Sequence, residues 1–483
     1  MQKKKFSYIS NIIKLYFNIL IKNKINLVNY CNFFYLLSAH PLQLKKYHIL
    51  KNNNYFHYFY KLTTLLIKNI TGVFTRIFEK KFYYATSNKK VDIIFFSHLV
   101  NSRHLENNID FYFGNLPKII KKNSITVLNN ETELTNAKVI KRNKTKRELI
   151  VLSNYIGFIN EIKILTSLIF QILKIINNKK KFDKIKNNNF FRNLILNLVS
   201  QNTLKNIRLH YQVENILKTF KPKKILYTFE GHCFEKVILD TVKLYNPNVE
   251  CIAYQHSIIF PIQPSLLSPL NKKFEPDKIL TSGAKGKNIL KKSYKKSKIF
   301  HIGNPRHDKK KINFKKKKNI CLLIPDGTLE ETKKMINLIP SHNIKINSEI
   351  KYIVRFHPGV SDFFKKNTNP NIEFSKNKLS YDLDICQWAV YRGTGAIIHC
   401  LASGIRPIYY SYNKRELSID PLTDLIKFKK KISNFTDLNK IINSDVKSNF
   451  FINKKKFIIK KSKKSDFYFS NINYNFAKKV ILL

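Results

Sequence analysis

Acidic residues are scarce in this 483-residue chain: 31 Asp and Glu stand against 88 Lys and Arg, a formal net charge of +57. A surface of that sign attracts polyanions, whether nucleic acid, anionic lipid headgroups or phosphorylated substrates. The excess is mostly Lys and accompanies abundant Asn, Ile, Phe and Tyr, a bias that an AT-rich genome produces without selection for any partner. Arg-rich stripes interleaved with aromatics are lacking, as are helix-turn-helix, zinc-finger and RNP patterns, so nucleic acid is not an expected partner. Cysteine is sparse and never spaced C-x-x-C: Cys31, Cys233, Cys251, Cys321, Cys386 and Cys400 are scattered, implying no metal site and six reduced, buried thiols. No uninterrupted apolar run of about 18 residues occurs, so a spanning helix is not expected. The basic start resembles a signal peptide, but Lys14 and Asn18 interrupt its apolar region and no small-residue cleavage site follows. An amphipathic helix is expected there. A cytoplasmic location, peripheral at the inner face of the cell membrane, is the consistent picture.

What is present organises around residues 386–410, CQWAVYRGTGAIIHCLASGIRPIYY. The stretch predicts a strand, a turn at Arg392-Gly393-Thr394-Gly395, a helix over 396–403 ending at Gly404, and a returning strand over 405–410. In a right-handed crossover the turn opens at the carboxyl edge of the sheet, where free N–H groups, the Thr394 hydroxyl and the Arg392 guanidinium would meet an anion. A tight turn in an α/β core explains the same residues equally well.

Strand, polar turn and helix alternate along much of the chain. Strands are predicted at 91–96, 124–128, 224–228, 249–254, 277–281 and 298–302, then, past the lysine run at 309–318, at 319–324, 350–356 and 372–374. Long helices are expected over 148–176 and 190–220. That alternation means parallel sheets with helices on both faces. The expected fold is therefore α/β, with two Rossmann-like doubly wound lobes facing across a cleft. The expected organisation is a helical basic extension (1–88), an N-terminal lobe (89–308), a C-terminal lobe (309–440) and a basic tail (441–483). Helices of the extension that carry Phe, Tyr and Leu on one basic face could lie on an anionic membrane or cover the next domain.

Polar residues at strand ends are the candidate site groups. His98 follows the first strand, while Glu230, His232 and Glu235 gather on a strand-to-helix turn suited to proton abstraction from a hydroxyl. Glu235 could equally complement the helix dipole. Gln255 and His256 end the next strand, and His357-Pro358 end a later one.

The succession FEGHCFE, AYQHS, DKILTSG, HIGNPRHD, RFHPG and YRGTGAIIHCLASGIRPIYY resembles the GT-B glycosyltransferases of bacterial surface carbohydrate biosynthesis: capsule, lipopolysaccharide and O-antigen enzymes. The resemblance spans about residues 90–440. It implies a metal-independent transferase without a cofactor, moving sugar from a nucleotide-activated donor to a glycan or lipid-linked acceptor. His357, Pro358 and the turn Arg392, Gly393, Thr394, Gly395 would hold the donor phosphate, and Gly303 and Arg306 would lie where the chain crosses between lobes. Glu230 or His98, with His232, would be catalytic; Glu235, Gln255 and His256 would stand on the acceptor side. Two departures from the pattern are His399, where many relatives carry a ribose-binding glutamate, and Ser257 in place of the glycine of Q-H-G. The alternatives are a CDP-polyol glycerophosphotransferase of the same fold, a noncatalytic glycan-assembly partner and, from charge alone, a polyanion-binding protein.

Overall fold

The computed structural model describes residues 14–15, 17–22, 26–31, 55–75, 82–84, 91–99, 102–105, 108–120, 123–130, 148–177, 188–267, 275–307, 311–341, 349–357, 360, 364, 369–412, 418–423, 425 and 428–483. The first lobe is built on β1 (Phe82–Tyr84), β2 (Ile93–Leu99), β3 (Ser124–Asn130), β4 (Leu149–Leu152), β5 (Lys224–Thr228), β6 (Glu250–Gln255), β7 (Lys278–Thr281) and β8 (Lys298–His301). They lie in the order β1-β4-β3-β2-β5-β6-β7-β8, and only β1 is antiparallel to its neighbour. The second lobe is an all-parallel sheet of β9 (Ile320–Ile324), β10 (Lys351–Val354), β11 (Ile372–Phe374), β12 (Trp388–Tyr391), β13 (Arg406–Tyr410) and β14 (Lys430–Ile432), ordered β11-β10-β9-β12-β13-β14. Every residue of β2, β4, β7, β9, β12 and β13 is buried, which explains their near-continuous apolar runs: helices cover both faces of a parallel sheet. The expected two doubly wound lobes are what the chain forms.

Seven helices matter below: α1 (Tyr55–Thr75), α2 (Phe158–Asn177), α3 (Gln201–Phe220), α4 (Cys233–Tyr245), α5 (Leu329–Ile336), α6 (Ile397–Ala402) and α7 (Tyr474–Leu482). The long helix expected over 148–176 is a strand, β4, followed by α2. A four-residue apolar run beside an apolar helix merges with the helix's periodicity, so the sequence hides the break. The helix expected over 190–220 is two, Asn188–Leu198 and α3, separated where Ser200 caps α3 by accepting from the Thr203 N–H.

Residues past 441, expected as a basic tail, are packed on the rest of the molecule. They are helical, and α7 returns to the first lobe, where Ala477, Val480 and Ile481 are buried in a cluster with Phe95, Phe113, Leu226 and Leu280. The returning chain bridges Asn304 through Asn471, and the Asn304 N–H donates to the Ser470 carbonyl at 2.8 Å. Gly303 has φ +95°, and a Cβ there would meet the Asn471 carbonyl oxygen at 2.3 Å. A glycine here lets two chain segments cross closely. The six cysteines are buried free thiols. Among the described residues no helix is long and apolar enough to cross a membrane. Of the expected amphipathic start, residues 1–13 lie outside the described residues, and residues 17–22 are helical.

Candidate active site

The parallel register brings the carboxyl ends of β2, β5 and β6 to one edge. The chain leaves β2 in one direction through β3 and β4 and resumes on its other side with β5, so a crevice opens between β2 and β5. His98, in β2, faces it from one side and the turn Glu230-Gly231-His232 from the other. Glu235, on the first turn of α4, builds that turn: its Oε1 accepts the Glu230 N–H at 2.6 Å, and its Oε2 accepts the Gly231 and His232 N–H groups at 2.7 and 2.9 Å. It is fully buried. Glu235, expected on the acceptor side, thus spends its carboxylate on three backbone donors of the turn. Gly231 has φ +88°, and a Cβ there would lie 2.2 Å from Ser265 Oγ, so only glycine fits the turn.

The turn aims Glu230 at two histidines. His232 Nε2 lies 3.1 Å from Glu230 Oε2, and His256 Nδ1 lies 3.4 Å from Glu230 Oε1. Burial opposes ionisation of Glu230, but the hydrogen bond with His232 and attraction to His256 and His232 outweigh it and hold the carboxyl well below its usual range. Burial pushes His256 down to about 3, against the pull of Glu230. A carboxylate held ionised in this way can accept a hydrogen bond from the imidazole beside it and so orient it.

Two cavities meet at this turn, and Glu230 and His232 line both. One, of about 410 Å³, lies within the first lobe; His98 and His256 line it, and His98 Nε2 bonds Thr228 Oγ1 at 2.7 Å. The other, of about 940 Å³, is the cleft between the lobes. Its far wall carries His357, Gly393, Thr394 and Gly395, and Arg306 reaches it from the crossover, its guanidinium 5.0 Å from the centre of the Phe111 ring. Burial lowers the pKa of His357. Pro358 lies outside the described residues.

Besides Glu235, three expected site residues line neither of these two cavities. Arg392 is 1% exposed: its Nε pairs with Glu331 Oε2 of α5 at 2.5 Å, its Nη1 donates to the Tyr410 carbonyl at 3.1 Å, and it stacks 4.4 Å over Tyr412. The guanidinium lies beneath the glycine turn, holding α5 to β13. Gln255 is buried and donates to the Ser257 carbonyl within its own loop. Gly303 serves the crossover described above. The helix expected over 396–403 is the shorter α6.

Sequence reasoning passed over two groups on the cleft wall. Asp326, just past β9, is 4% exposed; its Oδ1 accepts from the Thr328 N–H and hydroxyl at 2.8 Å each, while Oδ2 has no hydrogen-bond partner among the described residues. Burial pushes its carboxyl up to about 6. Arg355, just past β10, lines the cleft and bonds Asp382 Oδ2 at 2.9 Å. The available signal was position, since both sit at strand carboxyl ends like His98 and His357.

No protein-family model matches the chain, and no curated protein matches it. Solved structures are similar in overall path. They include UDP-GlcNAc 2-epimerase from Neisseria meningitidis (10% identity, 81% of this chain and 98% of that one, TM-score 0.43) and the glycotransferase of kitacinnamycin (9%, 81% and 98%, TM-score 0.45). A wall teichoic acid polymerase, TagF, is similar over 88% of this chain and 97% of its own (10%, TM-score 0.43). At such scores nothing about the reaction of this chain follows from them. Two doubly wound lobes closing on a shared cleft are the GT-B architecture that the motif resemblance implies.

Proposed function

We propose that the protein is a glycosyltransferase moving a sugar from a nucleotide-activated donor to a surface glycan or lipid-linked acceptor. The observation that carries this reading is the Glu230–His232 pair, 3.1 Å apart on a rigid turn and lining both the inter-lobe cleft and the first-lobe pocket. A donor in the cleft and an acceptor in the pocket would meet there. His232, oriented by Glu230, takes the proton of the acceptor hydroxyl as its oxygen bonds the anomeric carbon; the carbon–oxygen bond to the donor phosphate breaks, and the nucleotide leaves with the electron pair. His357, Arg306, Arg355 and the backbone at Thr394 and Gly395 stand on or beside the donor wall, where negative charge develops on that phosphate. On this reading the chain's own cations supply the charge, and turnover needs neither added metal nor cofactor.

The test is the melting temperature of the full chain with UDP, GDP, dTDP, CMP and CDP and their sugar derivatives, because a ligand binding only the folded state raises apparent stability. One nucleotide class is expected to raise it, and His357→Ala to abolish the shift. His232→Gln is expected to keep the shift while lowering kcat by roughly 10²–10⁴-fold, the usual worth of a general base. Absence of a shift with every nucleotide rejects the reading; a shift confined to CDP-polyols replaces it with glycerophosphotransfer.

We further propose peripheral contact with anionic lipid through α1 and α2. Phe59, Tyr60, Ile67, Ile70 and Phe74 of α1 and Ile159, Ile169, Phe170, Leu173 and Ile176 of α2 are exposed, and Phe74 meets Phe158 across the two helices at 6.2 Å between ring centres. α1 has no acidic residue and the one in α2, Glu161, is buried, whereas Lys61, Lys68 and Lys163 are exposed. An apolar face fringed only by lysine is complementary to an anionic bilayer surface.

A further inference from the structure

The first-lobe pocket carries a charge pattern that the transfer chemistry does not use. Its lining is amide-rich, with Asn129, Asn130, Asn154 and Asn202 among the wall residues, and its volume of about 410 Å³ lies within the usual small-molecule range of roughly 300–1,000 Å³. Amide side chains offer both donors and acceptors, as sugar hydroxyls require. α3 forms one wall, and two cations project from it at a spacing of three residues, Lys205 and Arg208, which places them on one helical face.

Arg208 is 3% exposed and its guanidinium is half used. Nε lies 2.8 and 3.0 Å from the two carboxylate oxygens of Glu161, and Nη2 donates to Oε2 at 2.9 Å. Nη1, on the other edge, is buried and has no hydrogen-bond partner among the described residues. A buried donor left unmatched is costly, and a charged one more so. Arg208 and Glu161 cancel in charge, so the net charge of this wall comes from Lys205, a single positive unit. Across the pocket stands the Glu230 carboxylate, which repels a doubly charged group more strongly than a singly charged one.

We infer that this pocket seats the terminal sugar of the acceptor and that this sugar bears a carboxylate, read by Lys205 and by Nη1 of Arg208. The inference rests on the transferase reading and adds the chemical class of its acceptor. The carboxylate is anchored at α3, the hydroxyls meet the asparagine amides, and the reacting hydroxyl points to His232, where the pocket wall opens on the cleft.

The experiment measures dissociation constants of the full chain, by saturation-transfer NMR, for four probes: methyl glucuronide, the methyl glycoside of N-acetylneuraminic acid, methyl glucoside and glucose 6-phosphate. Lys205→Gln is the informative variant because Lys205 is only partly buried; Arg208→Ala would strand Glu161 and risk the fold. At least one carboxylated glycoside is expected to bind at least tenfold more tightly than methyl glucoside, and Lys205→Gln to remove most of that preference while the nucleotide-induced melting shift is unchanged. Equal binding of charged and neutral sugars, no binding of any sugar, or an unaltered preference in Lys205→Gln overturns the inference. Preference for glucose 6-phosphate overturns it in favour of a phosphorylated acceptor. A nucleotide shift without carboxylate selectivity sinks this inference alone, whereas carboxylate selectivity with no nucleotide shift removes the transferase reading and leaves the pocket.

Discussion

Arg392 and Asp326 show how burial decides what a charged residue does. Arg392 follows a strand and precedes a glycine turn, the position of an anion ligand, yet its guanidinium is committed to Glu331, Tyr410 and Tyr412. Arg392→Ala is therefore expected to destabilise the protein by about 3–5 kcal/mol, because Glu331 is left charged and buried. Denaturant unfolding measures this, and a stable variant with selectively weakened donor binding would restore Arg392 to the site. Asp326 has the opposite lesson. Its carboxyl is raised to about 6 in the fold, so the folded state holds its proton more tightly than the unfolded chain. Stability from this group is present at low pH and is lost as pH rises from the unfolded value toward 6. Asp326→Asn removes that loss. The stability gained by the variant is expected to be larger at about pH 7.5 than at about pH 4, by about 3 kcal/mol at most. Parallel unfolding curves for the two proteins at those pH values check it; an equal gain at both would mean that the carboxyl is not perturbed.

At the scale of elements, the Glu230–His232 turn is one unit with α4. Glu235 accepts three backbone N–H groups and so determines where Glu230 and His232 point. Glu235→Ala leaves those donors without their acceptor and is expected to cost about 3 kcal/mol of stability and, by misplacing Glu230 and His232, to lower kcat. Circular dichroism melts with kinetics check both, and loss of stability with kcat intact would detach the turn from catalysis. The E-G-x-x-x-E spacing was legible in the sequence, but the division of labour between its two glutamates was not. Both lie at a strand-to-helix turn, and only the path of the backbone shows that Glu235 faces it while Glu230 faces the cavities. The hidden strand β4 and the cap at Ser200 escaped for a related reason: apolar period alone does not separate a short buried strand from a helix.

For the whole molecule, acid stability and membrane contact are the consequences to measure. Burial pushes His256 and His399 down to about 3, so the unfolded chain binds protons there first as pH falls below about 6.5. That loss runs against the gain from Asp326, which is why the single variant is needed to isolate the latter. The face formed by α1 and α2 is expected to sediment the protein with vesicles containing phosphatidylglycerol and less with pure phosphatidylcholine, an effect weakened by salt. Ile159→Ser with Phe170→Ser is expected to reduce binding at least fivefold. Retained binding, or a change of oligomeric state in place of lipid binding, would assign that face to another role.

The sequence by itself determined the two parallel-sheet lobes, most strand positions, and the histidine and glutamate carried at strand ends. These follow from local rules: buried parallel strands are continuously apolar, glycine is favoured in left-handed turns, and polar residues past a strand's carboxyl end face a crevice. Tertiary structure alone decided which of those residues touch a cavity. Glu331 and Arg392 are 61 positions apart, Glu161 and Arg208 are 47 apart, and α7 packs on strands laid down hundreds of residues earlier. Charge neutralisation inside a protein depends on distance in space, and the spacing of residues along the chain holds no record of it.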